Sequence, residues 1–211
     1  MLAAIILAAG DSTRMGRPKA LLPDPEGRPF VARLVRTFAA AGVRDVIVVT
    51  GSLHAAIADA LAGDQPPIAP ILVNNPQPAL GQVSSLWMGL DAAEKLASPK
   101  PHSGEGRGVD GVLMTLVDIP LVRASTIQKV IDAWTGSGAP IVRPAVGDRH
   151  GHPVLFDRSV FDALRHAPIT EGAKAVVHAN ADRIVNVQVE DEGCLLDVDT
   201  PADYEAVIRK T

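Results

Sequence analysis

The chain has 211 residues, 47% of them apolar but only 3% aromatic, with a formal net charge of −4. That length suits a single domain, residues 1–211, whose core must be built from Val, Ile, Leu and Ala, as in a parallel sheet covered by helices. The acidic balance argues against nucleic acid as main partner, no apolar run approaches the ~20 residues of a membrane span, and a lone cysteine, Cys194, excludes an internal disulfide or a cysteine-only metal site. Cys194 is expected to be buried and inert. With no basic stretch ahead of its first apolar segment, the chain is expected to lack a secretory signal and to be cytoplasmic.

Leu2 to Ala9 is short and aliphatic enough for a strand buried on both faces. It runs into Gly10, a turn, and two cations, Arg14 and Lys19. A strand ending in a glycine-bearing loop with free backbone N–H groups is a natural cradle for phosphate oxygens. The two cations would add charge-assisted hydrogen bonds worth about 1.5–3 kcal/mol each. Neither G-x-x-x-x-G-K-[ST] nor G-x-G-x-x-G is present, and the spacing alone leaves an ordinary strand-to-loop turn equally open.

Further on, Phe30 to Ala41 repeats apolar residues at helical spacing, with Gly42 placed to end the helix. Asp45 to Thr50 is a second strand, Ser52 is expected to cap a helix reaching about Leu61, and Ile71 to Val73 is a third strand. This alternation predicts an α/β fold: a three-layer, Rossmann-like, doubly wound and mostly parallel sheet. Gly81 to Leu86 opens a helix running to about Leu96, with hydroxyls at Ser84 and Ser85 suited to its N-terminus. Ser98 to Gly108 lacks periodicity and reads as an inserted surface loop.

Val112 to Val117 is a buried strand that delivers Asp118 at its C-terminal end, where open α/β sheets bind ligands. By itself that carboxylate could equally be a cap or a solvated turn residue. Ser125 is expected to cap a helix from Thr126 to Trp134, and Pro140 to Arg143 reads as a strand. His150 and His152 lack further His or Cys ligands at supporting spacing, so no zinc site is expected. Arg158 to His166 and Glu171 to Asn180 read as helices, Ile184 to Val189 as a strand, and Thr200-Pro201 as the start of a last helix. Asp197 and Asp199 lie two apart on an extended segment and so share a face. Either a divalent cation shared with Asp118 or a solvated acidic edge would relieve their repulsion.

The string Leu7-Ala8-Ala9-Gly10-Asp11-Ser12-Thr13-Arg14-Met15-Gly16-Arg17-Pro18-Lys19-Ala20-Leu21-Leu22 resembles, almost letter for letter, the signature of the MobA-like and molybdenum cofactor cytidylyltransferase family. The resemblance extends to the last helix. Leu116-Val117-Asp118-Ile119-Pro120 is similar to the family's Leu-x-Asp-x-Pro, and Gly151-His152-Pro153-Val154-Leu155-Phe156 to its Gly-His-Pro-x-x-Phe. Asp197-Val198-Asp199-Thr200-Pro201-Ala202-Asp203 resembles its Asp-x-Asp-Thr-Pro-x-Asp, while Lys174 stands where the family's Gly-Ala-Arg helix has arginine.

The resemblance implies a fold of the nucleotide-diphospho-sugar transferase type and a reaction in which an acceptor phosphate attacks a nucleoside triphosphate and pyrophosphate leaves. It places the nucleotide at Leu7, Ala8, Ala9, Gly10, Ser12, Arg14, Lys19, Gly81, Ser84 and Ser85. It places Mg²⁺ at Asp118 with Asp197 and Asp199, and the acceptor at Arg149 and His152. Catalysis is expected from Arg14, Lys19 and Asp118. Guanylyltransferase relatives have Leu-Ala-Gly-Gly where this chain has Leu7-Ala8-Ala9-Gly10; the Ala9 methyl would crowd a purine, so CTP is the expected donor. The expected acceptor is phosphorylated, such as molybdopterin, with transient contact to a molybdoenzyme or its chaperone. The alternatives are a transferase for sugar or alditol phosphates, and a non-catalytic accessory protein in molybdoenzyme maturation.

Overall fold

In a computed structural model of the chain, residues 1–10, 12–96 and 109–209 are described; the loop expected over Ser98 to Gly108 lies outside them. The aliphatic runs become strands β1 (Leu2–Ala8), β2 (Asp45–Thr50), β3 (Ile71–Asn74) and β4 (Gly111–Leu116). They alternate with helices α1 (Phe30–Ala40), α2 (His54–Asp64) and α3 (Gln82–Leu96). After β4 come α4 (Ala124–Ser137), β5 (Ile141–Val146), β6 (Arg149–His150), β7 (Val154–Asp157), α5 (Phe161–Arg165), α6 (Ala173–Ala179), β8 (Ile184–Gln188) and α7 (Pro201–Arg209).

One eight-stranded sheet runs in the order β3-β2-β1-β4-β7-β5-β6, with β8 beside β5. The pairs β3·β2, β2·β1, β1·β4 and β5·β8 are parallel, whereas β7 lies antiparallel between β4 and β5. The doubly wound, mostly parallel sheet expected from strand–helix alternation is therefore the one observed. Period-2 alternation divides β1 between two cores. Ala4, Ile6 and Ala8 pack with residues of α1, α2 and α4, and Ala3, Ile5 and Leu7 with residues of α3, α5 and α6. A one-residue slip would exchange these layers, so the register of the strand is strongly specified.

Several helix starts differ from expectation. Ser52 does not cap α2; Leu53 holds the N-cap position without a side-chain bond, and the Thr50 hydroxyl instead meets His54 Nδ1 at 2.7 Å. Ser125 does not cap α4 either. Asp191, distant in sequence, accepts from the Arg123 N–H at 2.8 Å and the Thr126 hydroxyl at 2.7 Å. The helical reading of Arg158 to His166 opens with a 3₁₀ turn, Arg158–Val160, and α6 is shorter than the Glu171 to Asn180 segment. The last helix starts as expected. Thr200 Oγ1 accepts from Asp203 N at 3.3 Å and Asp203 Oδ2 accepts from Thr200 N at 2.8 Å, a reciprocal cap. Among the described residues no helix is long and apolar enough to cross a membrane.

Candidate active site

The pairing of β1 with β4 sets Leu7 beside Leu116, and the Val117 N–H donates to the Leu7 carbonyl at 3.1 Å. The Gly10 loop and Asp118 thus leave the sheet side by side at its carboxyl edge. Gly51, at the end of β2, makes room for that loop: a Cβ there would lie 2.8 Å from the Ala9 carbonyl oxygen. The loop then doubles back on itself. Ser12 takes a left-handed φ of 52°, its carbonyl accepts the Met15 and Gly16 N–H groups at 3.1 Å, and its hydroxyl accepts the Lys19 N–H at 3.0 Å. These bonds turn the Lys19 side chain inward.

Lys19 is buried, and its ammonium donates to Asp118 Oδ2 at 2.9 Å and to Asp199 Oδ1. Asp199 reaches this point because the Val198 N–H donates to the Asp118 carbonyl at 2.8 Å, pinning the C-terminal segment against the end of β4. Arg14 approaches from the solvent side, with Nη1 2.8 Å from Asp199 Oδ2. Burial by itself would lower the Lys19 ammonium, but the hydrogen bonds it donates to Asp199 and Asp118 outweigh it and hold the group above its usual value. The Lys19 hydrogen bond in turn pulls Asp199 below the ordinary carboxylate range. Asp197 behaves in the opposite sense: desolvation in the cleft first, then the charges of Asp118 and Asp199, push it up.

The three carboxylates expected at a cation site do not stand as one cluster here. Lys19 occupies the position between Asp118 and Asp199, and among the described residues no group of three or more His, Cys, Asp or Glu side chains converges to hold a metal. Sequence spacing could not show that an ammonium 99 and 180 residues away would relieve the carboxylate repulsion. One donor is still left over: Asp118 Oδ1 is buried with no hydrogen-bond partner. A lone carboxylate oxygen beside the Gly10 loop fits a hard divalent cation, which takes one or two carboxylates and fills its other positions with ligand oxygens and water.

Two adjoining chambers open here. The smaller, about 280 Å³, is lined by Gly10, Ser12, Arg14, Lys19, Asp118 and Asp199, together with Leu7, Ala9, Gly81 and Ser85. Two of the expected nucleotide residues do not line it. Ala8 belongs to the core on the opposite side of the sheet. Ser84 is occupied in fastening the start of α3: its hydroxyl donates to the Gly81 carbonyl at 2.8 Å and accepts from Asn75 Nδ2 at 2.9 Å. Asn75, which also donates to Ser85 Oγ at 3.0 Å, was not singled out from the sequence; its signal was an Asn-Asn-Pro end to a strand.

The larger chamber, about 1060 Å³, shares Leu7, Gly81, Gln82 and Leu116 with the first. Asp197 and His152 line it. The His152 backbone N–H donates to the Cys194 carbonyl at 2.9 Å, and burial pushes its imidazole towards the neutral form. Arg149 does not line it. From the two-residue strand β6 it turns outward and pairs with Glu192 at 2.7 Å on the surface. The basic side chains that do line this chamber include Arg143 and Lys174, with the imidazoles of His150 and His178 beside them. Arg143 was missed although it interrupts an otherwise apolar strand, Ile141–Val146. Cys194 is fully buried, as expected, and burial pushes its thiol up to about 11.

A doubly wound sheet whose first loop and fourth-strand carboxylate meet in a divided cleft is the arrangement of nucleotidyltransferases with the nucleotide-diphospho-sugar transferase fold. Residues 4–184 match the family model described as the MobA-like NTP transferase domain, and the chain belongs to that family. It is 34% identical over 139 residues to a probable molybdenum cofactor guanylyltransferase of Rhodopirellula baltica, a match covering 65% of this chain and 58% of the relative. It is also 34% identical over 152 residues to the bifunctional protein GlmU of an Anaeromyxobacter species, covering 72% of this chain and 28% of that protein. The chain therefore spans less than two thirds of either relative. Among solved structures, Rv0371c from Mycobacterium tuberculosis is similar throughout, with a TM-score of 0.77 at 27% identity, covering 100% of this chain and 99% of that one. Rv0371c has also been solved in complex with manganese.

Proposed function

We propose that this chain is a nucleotidyltransferase, one catalytic domain over residues 1–211, that moves a cytidylyl group from CTP to molybdopterin and releases pyrophosphate in the cytoplasm. The observation that carries this reading is the buried Lys19 ammonium, which donates to Asp118 and Asp199 in the wall of the smaller chamber. An ammonium has three N–H donors. Two are committed to carboxylates, which aim the third into the smaller chamber, where the transferring phosphoryl group would lie.

Donor and acceptor are both anions, so the reaction calls chiefly for charge neutralisation and alignment. The Gly10 loop would hold the triphosphate, Lys19 would stabilise charge building on the α-phosphoryl oxygens, and the solvent-facing Arg14 would hold the departing pyrophosphate. The acceptor phosphate is ionised at neutral pH and attacks directly, so neither Cys194 nor any other side chain serves as nucleophile. Asp118 Oδ1, with Asp199 or Asp197 close by, would hold Mg²⁺, which when bound supplies Lewis acidity to the phosphate oxygens. Ala9, in the wall of the smaller chamber, supports CTP because its methyl narrows the space a purine would need. The size of the larger chamber supports a bulky acceptor over a small sugar or alditol phosphate. A non-catalytic accessory role is disfavoured, because a protein that only binds a cofactor has no use for a lysine clamped by two carboxylates beside a spare metal-binding oxygen. The product would then pass by transient contact to a molybdoenzyme or its chaperone.

The test is pyrophosphate release with each of the four nucleoside triphosphates and Mg²⁺, with and without molybdopterin. Release that requires both CTP and molybdopterin is expected. Release only with a sugar phosphate would reassign the acceptor, and no release with any pair would favour the accessory role.

A further inference from the structure

The larger chamber contains a charge that the protein itself does not neutralise. Arg143, partly buried on β5, donates from Nε to Asn186 Oδ1 at 2.8 Å, its opposite number on β8 in the parallel register. No ion pair is formed by Arg143 among the described residues, whereas Arg149, Arg165 and Arg36 are each paired with a carboxylate. The difference matters because a guanidinium withdrawn from water without a counter-ion is costly, and burial does depress Arg143 below its ordinary value. An amide oxygen orients the guanidinium without cancelling its charge, leaving the other nitrogens available to a ligand.

Lys174 adds a second cation to this wall and His150 and His178 add imidazoles, opposed by Glu171 and by Asp197 at the end nearer Asp118. Across the sheet Arg143 is two strand positions from β4, since β7 lies between β4 and β5, and along the strands it is level with Met114, two residues before the end of β4 and four before Asp118. At normal strand geometry this is about 10 Å across and about 7 Å along to the end of β4, a separation of roughly 12 Å or more.

Resting on the nucleotidyl-transfer reading, we propose that Arg143 determines acceptor specificity by binding a second oxyanionic group of the acceptor, remote from the phosphate that reacts, and that Asn186 is the residue that positions it. The acceptor class is therefore a phosphorylated molecule with a further carboxylate, phosphate or comparable oxyanion at its far end. The planar guanidinium suits such a group because it can offer two parallel N–H bonds.

The full chain with Mg²⁺ would be titrated calorimetrically with alkylphosphonates of about four to twelve carbons, a range that brackets this separation. Each length is made ending in methyl, in carboxylate or in a second phosphonate. At some length a two-ended compound is expected to bind about tenfold or more tightly than its methyl-ended partner, the gain of one charge-assisted bidentate contact. The carboxylate and phosphonate arms show which oxyanion is preferred. Arg143→Met should abolish the gain while leaving the methyl-ended compound unaffected. Asn186→Ala should reduce it, and Arg143→Lys, which keeps the charge but loses the fork, should restore part of it and serves as the reference if Arg143→Met melts early. Equal binding of all three end groups by the unmodified chain, or a gain that survives Arg143→Met, overturns the assignment. The four nucleoside triphosphates titrated alongside separate the two ideas: failure of the unmodified chain to bind any of them counts against nucleotidyl transfer, whereas Arg143→Met should bind the preferred one normally.

Discussion

Replacing Lys19 with alanine removes the ammonium that two carboxylates hold in place, and its cost differs for folding and for turnover. In the folded chain Lys19 makes two charge-assisted hydrogen bonds, to Asp118 and Asp199, whose side chains are 20% and 30% exposed. Because water screens both acids and Lys19 itself gives up hydration, the net loss of stability is about 1–2 kcal/mol. For a chain of this size that is a fall of about 2–8 °C in melting temperature. Turnover should suffer far more. A donor aimed at charge that develops only in the transition state is worth about 10²–10³ in kcat, or roughly 2.7–4 kcal/mol, and here the donor is a full cation. Pyrophosphate release from CTP, Mg²⁺ and molybdopterin would measure kcat, and circular dichroism the melting temperature. The pair also has a pH signature. Asp199 titrates below its unfolded value, so its contribution is complete above the ordinary aspartate range and is lost as pH falls through the depressed folded value. The melting gap between Lys19→Ala and the unmodified chain should therefore hold steady from neutral pH down to about pH 5 and close only below about pH 4. A variant that keeps more than about a tenth of the original kcat would refute the catalytic role, since the loss would fall short of a single aligned donor.

Asp191→Ala should lower stability by about 2–4 kcal/mol, because three donors, from Arg123, Thr126 and Gly193, lose a buried acceptor; a thermal melt reads this, and kcat should be spared. Arg149→Ala should leave the KM of both substrates within about twofold, since Arg149 spends its charge on exposed Glu192 and exposed pairs are worth little; a selective rise in acceptor KM would return Arg149 to the cleft. Cys194, buried and with its thiol raised to about 11, should resist a maleimide at pH 8 in the folded chain and react readily once denatured. Ala9→Gly should shift the ratio of kcat/KM for CTP over GTP towards GTP by about tenfold, the worth of roughly one methyl in a packed pocket.

The order of the elements could be read along the chain because the signals that set it are local. Aliphatic runs with period-2 burial, helical apolar spacing and the Thr200-Pro201 start each depend on residues a few positions apart. The Gly10 loop and the delivery of Asp118 at a strand end were legible for the same reason. Capping was read correctly only where the cap was local: Thr200 and Asp203 close their own helix, while α4 borrows Asp191 from 65 residues away.

The amino-acid sequence by itself determined the alternation of strands and helices, the glycine-bearing loop after β1 and the acidic strand ends, since each follows from neighbours in the chain. Only the tertiary structure decided which charges meet. It set Lys19 between Asp118 and Asp199 in the position expected for a metal, turned Arg149 out to Glu192, and left Arg143 facing the larger chamber with an amide for a partner. Those outcomes depend on sheet order, strand register and side-chain direction across long separations, and electrostatic energies change with every ångström of such placement.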